Sequence, residues 1–375
     1  MTACDDCLRR AWLIAMLSGN LERARRRGGV LALDDDALID ALGGTERHEL
    51  AKQYAGFDPR RGRAIVQAAG LTSRCAHSDG YPSRLSDLED APAALFVAGR
   101  PGALDALASD DDLAPAVAIV GARRCAGEGE EVARALGQGL AAAGVCVVSG
   151  LALGIDSAAH HGALAASRPQ PAGPIAPTIA VLAGGADVIY PPSGRGLYTQ
   201  IVETGCVVSE LPPGVRPRKW SFPARNRIIA GLAGMTVVVQ ARERSGSLIT
   251  ADLAMQLGRP VGAVPGPVTR GLSQGSNALL HDGAHVIRDA RDVLEALLPG
   301  YRHEPARGPN LAPDLAAVLT AVENGHATPG EVAGAHGGDP AAALTALTRL
   351  ELLGLVRRDP AGRYARAADL GPALL

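Results

Sequence analysis

Short runs of consecutive apolar, β-branched residues recur through the middle of the chain, at 116–120, 145–149, 178–182, 207–209, 236–239, 261–264 and 285–287. Between several of them the apolar positions change to helical spacing, as at 128–142, 154–166 and 247–257. A strand that is apolar at every position has both faces covered, and alternation with helices supplies the cover. The pattern therefore predicts an α/β fold, a doubly wound parallel sheet with helices on both sides.

The flanks follow other rules. Over residues 1–75, apolar positions recur at helical spacing around Trp12, Leu42 and Ile65, and Gly-Gly pairs at 28–29 and 43–44 break the segments. This reads as a small helical domain. Its arginines Arg23, Arg25, Arg26 and Arg27 read as a solvated helix end. Residues 76–105, with Pro82, Pro92 and Pro101, read as an extended connector packed on the domain that follows, 106–300. The Pro-rich stretch 167–177 reads as a surface insertion, and 301–313 as a linker. Over 314–370, Thr328-Pro-Gly-Glu331 is a capping box, and Asp339-Pro340 starts a helix whose apolar face is Ala343, Leu344, Leu347, Leu350 and Leu353. Arginine-rich segments then flank a Pro-Ala-Gly turn. Three helices and a hairpin follow a winged-helix plan. Arg349 is nearly the only cation on its last helix, so groove reading is not expected of it.

Composition narrows the partners. Lys and Arg total 37 against 39 Asp and Glu, so any site for a polyanion must be a local concentration of charge. Six scattered cysteines (4, 7, 75, 125, 146 and 206) suit reduced thiols rather than a disulfide framework. Cys4 and Cys7 form a lone CxxC with no second pair and no neighbouring histidine, so no metal is expected there. No stretch has the length and apolarity to cross a bilayer, and the expectation is a cytoplasmic protein without a membrane partner.

The local concentration exists. Residues 214–227 (GVRPRKWSFPARNR) hold Arg216, Arg218, Lys219, Arg225 and Arg227, and no carboxylate lies between Glu210 and Glu243. Lys219 is one of two lysines in the chain, and Trp220 and Phe222 stand among the cations although aromatics make up only 3%. Cations for phosphate beside rings for stacking suit single-stranded nucleic acid; a solvated basic loop over a packed ring is the plainer reading. At the carboxyl ends of the predicted strands lie Gly121-Ala-Arg123-Arg124, Ser149-Gly150, Gly184-Gly185 and Ser245-Gly246-Ser247. Small residues let a ligand approach the backbone, and amides at helix starts favour anions, so this edge suits a phosphate-bearing ligand.

The common phosphate binders are missing. No GxGxxG follows the first strand, and neither lysine follows a glycine as a Walker loop requires. Asp156 and His160, four apart at a helix start, lack a neighbouring nucleophile or second carboxylate, and an acid in a first helical turn is what the macrodipole favours anyway. No catalytic residue and no cofactor is expected.

Four blocks together carry a resemblance: AIVGARR at 118–124, VSGLALGIDSAAH at 148–160, SFPARNRIIA at 221–230 and SGSLIT at 245–250. In order and spacing the chain resembles the DprA/Smf family over roughly 75–290. The resemblance implies an extended Rossmann domain that forms a homodimer, with a small helical (SAM or helix-hairpin-helix-like) N-terminal domain and a winged-helix C-terminal one. It implies an ATP-independent, non-enzymatic single-stranded DNA-binding protein. Such a protein shields incoming DNA in natural transformation and loads the RecA recombinase, with single-strand-binding protein as a further partner. Carried onto this chain, Arg123 and Lys219 contact phosphates, Phe222 borders a base pocket, Arg225 and Arg227 line the groove, and Asn226 bonds a base edge or fixes the loop. Arg124, Ser149, Gly150, Ser221, Ser245, Gly246 and Ser247 complete the expected binding surface. Trp220 stands where some relatives have glycine, which leaves it as a second stacking surface or a buried prop. The alternative is a nucleotide phosphoribohydrolase of the lysine-decarboxylase-like group, similar in its Gly-rich Rossmann edge. That group's Pro-Gly-Gly-x-Gly-Thr-x-x-Glu block corresponds here to 245–250, with Asp252 nearby and no glutamate at the matching place.

Overall fold

The computed structural model describes residues 2–23, 29–108, 115–166, 177–298, 311–336, 338–359 and 361–366. Arg25, Arg26 and Arg27, nearly all of the Pro-rich insertion and most of the 301–313 linker lie outside them. The chain divides into two compact units, 1–301 and 302–375.

The first unit opens with five helices: α1 (Asp5–Met16), α2 (Ser18–Arg23), α3 (Asp35–Gly43), α4 (Arg47–Ala55) and α5 (Pro59–Ala68). Local chemistry sets two of their starts. The Asp34 carboxylate accepts from the Ala37 N–H, and Asp58, with Pro59 behind it, accepts from the Arg60 N–H. There follow β1 (Thr72–Arg74), β2 (Leu95–Gly99), β3 (Ala116–Val120), α6 (Gly127–Ala142), β4 (Cys146–Ser149), α7 (Ile155–Ala166), β5 (Thr178–Val181), α8 (Arg195–Thr204) and β6 (Cys206–Ser209). The unit ends with α9 (Ser221–Leu232), β7 (Met235–Val238), α10 (Gly246–Gln256), β8 (Val261–Ala263), α11 (Gln274–His281), β9 (His285–Val286) and α12 (Ala290–Leu297).

All nine strands form one sheet in the order β1-β2-β6-β5-β4-β3-β7-β8-β9. From β6 to β9 every pairing is parallel, while β2 runs antiparallel to β6 and β1 antiparallel to β2. The seven predicted strands are thus the parallel ones. The stretch 76–105, read as an extended connector, packs on the sheet core through Tyr81, Leu85 and Leu88 and also supplies β2, while β1 lies at the end of the stretch read as a small helical domain. Side chains alternate between faces as the pleat requires. Ala116, Ala118 and Val120 of β3 pack into the core beneath α9 and α10, and Val117 and Ile119 into the core shared with α6 and α7. On that second face α6 and α7 meet backbone to backbone. A Cβ on Gly162 would lie 2.0 Å from the Arg134 carbonyl oxygen, and one on Gly137 2.2 Å from that of Ala159. Only glycine fits either position.

The N-terminal helices pack on the antiparallel end. Trp12 meets Phe57 at 5.3 Å and Phe96 of β2 edge-on at 5.7 Å. Leu13, Leu17, Leu21, Leu38 and Ile39 form a separate core that takes in Leu211 and Trp220 from beyond β6.

The second unit comprises α13 (Pro313–Glu323), α14 (Pro329–His336), α15 (Pro340–Leu352) and a hairpin of β10 (Val356–Arg358) and β11 (Tyr364–Arg366). The capping box forms: Glu331 Oε2 accepts from the Thr328 N–H at 3.0 Å and Thr328 Oγ1 from the Glu331 N–H at 3.3 Å. The apolar face of α15 is narrower than its sequence suggests, since Leu347 and Leu350 are buried while Leu344 and Leu353 are largely exposed. Among the described residues, no helix is long and apolar enough to cross a membrane.

Candidate functional site

Beyond β3 the chain turns to one side of the sheet, towards β4, and beyond its neighbour β7 to the other, towards β8. The carboxyl ends of these two strands therefore diverge into a crevice, where open α/β sheets take ligands. Two adjoining pockets occupy it, and both are lined by Arg123, Ala152, Phe222 and Arg225. One extends along the ends of β4 and β5 to Gly150, Leu153, Gly184 and Tyr190. The other reaches Gly121, Asp156, Asn226, Ser245, Gly246 and Ser247.

Two helices begin in the second pocket. The first turns of α9 (Phe222, Pro223) and α10 (Gly246, Ser247) line it, and neither helix has an acidic residue in its first turn. Ser245 caps α10, its Oγ accepting from the Ser247 N–H at 3.4 Å and bonding the Ser247 hydroxyl at 2.7 Å. Two helix amino ends with no acidic residue to offset them make the cleft attractive to anions. The Arg123 guanidinium lies 4.9 Å from the centre of the Phe222 ring, and the tilted Tyr190 ring meets the same ring at 5.7 Å. Leu153, Tyr190 and Ile249, each 41–51% exposed, add an apolar rim. A cation on an aromatic face, beside uncovered apolar surface and two helix amino ends, suits a ligand with one anionic and one flat apolar part. Behind the rim Leu151 is a non-glycine residue at φ 52°, fully buried. Such strain costs about 1–3 kcal/mol and persists where packing over-determines the loop.

The expected residues divide in this geometry. Arg123, Gly150, Phe222, Arg225, Asn226, Ser245, Gly246 and Ser247 line the cleft, while Arg124 and Lys219 are exposed outside both pockets. Arg225 is buried behind the surface, donating to the Gly150 carbonyl at 2.7 Å and to that of Val181, so it ties the ends of β4 and β5 together. A Cβ on Gly150 would strike this guanidinium at 2.5 Å, which is why glycine stands there. Burial lowers the Arg225 pKa to about 10, offset in part by the Asp156 carboxylate. Asn226 Nδ2 donates to the Gly246 carbonyl at 3.1 Å and joins the two helix starts.

Other expectations are corrected. The reading of 214–227 as one loop fails, because α9 begins at Ser221. Arg227 does not line the groove: it is buried, with Nη1 and Nη2 donating to the Glu210 carboxylate at 2.8 and 2.6 Å and Nε meeting Asp90 at 3.0 Å. These acids raise its pKa against the opposing effect of burial. Ser149 and Ser221 are also buried and locally committed. Ser149 Oγ donates to the Ile119 carbonyl at 2.6 Å, and Ser221 Oγ to that of Arg218 at 2.8 Å. Trp220 is a prop. Its ring is 3% exposed, and its Nε1–H and backbone N–H donate to Ser18 Oγ and Glu22 Oε2 of α2. Nor is the CxxC alone in space, since Cys75 and His77 stand beside Cys4 and Cys7. Tyr190 was not anticipated. The available signal was an aromatic residue two strand-ends away, in a chain with few aromatics.

Asp156 and His160 do not form a working pair. Asp156 accepts from the Gly150 N–H at 3.1 Å, and burial raises its pKa. His160 is fully buried; its Nδ1 bonds Thr178 Oγ1 at 2.6 Å, and that hydroxyl donates onward to the Val147 carbonyl. Desolvation, aided by His161 and Arg225, lowers the His160 pKa to about 3. Between pH 6.5 and 3 the unfolded chain therefore binds a proton that the folded chain refuses, and stability falls as pH falls through that window. At pH 5 this amounts to about 2 kcal/mol relative to pH 7. Urea melts at the two pH values should show that difference shrinking by a similar amount in His160→Asn; an unchanged difference refutes the assignment.

The family described as DNA recombination-mediator protein A matches residues 73–298. The chain belongs to that family, the DprA/Smf proteins. It is 38% identical over 361 residues to a putative DNA processing protein DprA of Mycobacterium tuberculosis, an alignment covering 93% of this chain and 80% of the relative. It is 45% identical to DNA processing protein DprA of Streptococcus pneumoniae, over 58% of this chain and 71% of that one. The fold agrees. A crystal structure of the Streptococcus pneumoniae DprA superposes with a TM-score of 0.62 at 34% identity, covering 81% of this chain and all of that one. A Helicobacter pylori DprA structure, described for its single-stranded DNA binding mode, gives 0.52 at 28% identity and covers 62% of this chain and 99% of the other. The family's matched region contains β2 to α12, and so the whole cleft.

Proposed function

We propose that this family member is a single-stranded DNA-binding recombination mediator that holds the strand in the cleft at the β3/β7 switch point without nucleotide turnover. The observation carrying this reading is the Arg123–Phe222 stack beside the first turns of α9 and α10. A phosphate lies against Arg123 and the helix amides, while a base lies against Phe222 and Tyr190. Arg218 and Lys219, exposed next to α9, extend the positive track. Family membership supports the further steps: delivery of the strand to RecA in exchange with single-strand-binding protein, and action as a homodimer in transformation. The phosphoribohydrolase reading loses support because Asp252 lies outside both pockets, and the cleft's one lining carboxylate, Asp156, is engaged by a backbone amide.

The test is salt-dependent binding of labelled oligo-dT. Removing one cation that neutralises a phosphate flattens the log–log salt plot by about 0.7 for single strands, so Arg123→Ala and Lys219→Ala should each lower the slope by roughly that amount. Unchanged slope and affinity in the Arg123→Ala/Lys219→Ala double variant removes the cleft assignment. Filament assembly by RecA on oligonucleotide precoated with single-strand-binding protein tests the loading step, and light scattering the dimer.

A further inference from the structure

The cleft leaves one cluster of reactive side chains unexplained, at the far end of the sheet. Cys4 precedes α1, Cys7 lies in its first turn, Cys75 directly follows β1, and His77 sits in the turn after it. The ligand atoms of all four lie within 4.8 Å of one another. His77 Nδ1 is 3.5 Å from Cys4 Sγ and 3.4 Å from Cys7 Sγ. Zinc–sulfur bonds of about 2.3 Å and zinc–nitrogen bonds of about 2.0–2.1 Å, at tetrahedral angles, put sulfur and nitrogen about 3.6 Å apart. The side chains already stand at nearly that spacing.

We propose that Cys4, Cys7, Cys75 and His77 form a structural zinc site that fastens the start of α1 to the end of β1. Three thiolates and an imidazole in a tetrahedron select zinc over harder or planar-seeking ions. The surroundings suit thiolates. The Cys4 N–H points at Cys75 Sγ at 3.4 Å, and Cys4 and Cys7 lie at the amino end of a twelve-residue helix. The turn carrying His77 is fixed on both sides: the Ser78 N–H donates to the Cys75 carbonyl at 2.8 Å, and Ser78 Oγ accepts from the Cys75 N–H at 2.9 Å. Such hydrogen bonds around the ligands orient them. Four protein ligands leave no open position, so the role is structural rather than catalytic. The site joins segments about seventy residues apart in sequence, where the helical N-terminus meets the sheet.

Elemental analysis of the untagged chain, purified under reductant from zinc-supplemented cells, should give one zinc per chain. Reconstitution of the stripped protein with cobalt(II) should give the thiolate charge-transfer and intense ligand-field bands of a tetrahedral sulfur-rich site. His77→Ala, at an exposed position, and Cys4→Ser should abolish stoichiometric zinc, whereas Cys125→Ser, outside the cluster, should keep it. Stripping should lower the melting temperature of the wild type by several degrees and leave His77→Ala unmoved. Substoichiometric zinc in the wild type, full zinc in both ligand variants, a Cys4–Cys7 disulfide under reductant, or another metal in its place would each overturn the proposal.

Discussion

Arg227→Met is expected to destabilise the first unit by about 3–5 kcal/mol, the usual cost of breaking a buried ion pair from one side. The arginine is 4% exposed and Glu210 6%, and the two share a bidentate pair of hydrogen bonds. Removing the cation strands the Glu210 carboxylate in the core beside α9. Asp90 also loses its partner, but it reaches solvent and adds less. A urea melt should show the midpoint falling with the slope unchanged, because the folded and unfolded surfaces stay nearly the same. Arg227→Met/Glu210→Gln should recover most of the loss, since the pair is then replaced by groups that need no counter-charge. The salt slope for oligo-dT, measured where the variant is folded, should equal that of the wild type. A small loss of stability together with a lower salt slope would return Arg227 to the groove.

This result bears on how far the sequence could be read. The seven parallel strands were legible because a strand covered on both faces must be apolar at every position, which few other segments are. The antiparallel pair was not. β1 is Thr-Ser-Arg with no apolar residue, and the prolines around β2 obscure a five-residue run. Helix α9 was hidden for a different reason. Arg225 and Arg227 occupy buried positions on it, so its inward face reads as basic and its period is obscured. The same two residues misled the site assignment. Five cations in fourteen residues look like one charged surface, but a guanidinium spends its charge on whatever acceptors the fold supplies. Here those are carbonyls at the strand ends for Arg225, and Glu210 and Asp90 for Arg227. The resemblance named the family, which the comparisons bear out, and eight of the thirteen expected residues line the two pockets. The role of each cation within the cleft depended on distances that only the folded chain supplies. The metal cluster was illegible for the same reason, because its two halves lie at opposite ends of the helical segment.

The two aromatic residues of 214–227 should separate by assay. Phe222→Ala should weaken oligo-dT binding by about 1–3 kcal/mol, some fivefold to 150-fold, the range found for one base–aromatic stack. Its ring is partly exposed and touches Arg123 and Tyr190 in the cleft, so the melt should barely move. The loss should exceed that of Arg123→Ala at high salt, where the phosphate term is screened and stacking is not. Trp220→Ala should do the reverse. Trp220 fills the core with Leu13, Leu17, Leu21 and Leu211, and its deletion leaves an aromatic-sized cavity and frees the Ser18 hydroxyl. The expected cost is about 3–5 kcal/mol of stability. Affinity per folded molecule should fall only as far as α9 shifts with the loosened N-terminal helices. The two substitutions lie two residues apart in sequence and on opposite sides of the start of α9. If Trp220→Ala weakened binding without lowering the melt, or Phe222→Ala lowered the melt without weakening binding, the assignment of prop and platform would be inverted.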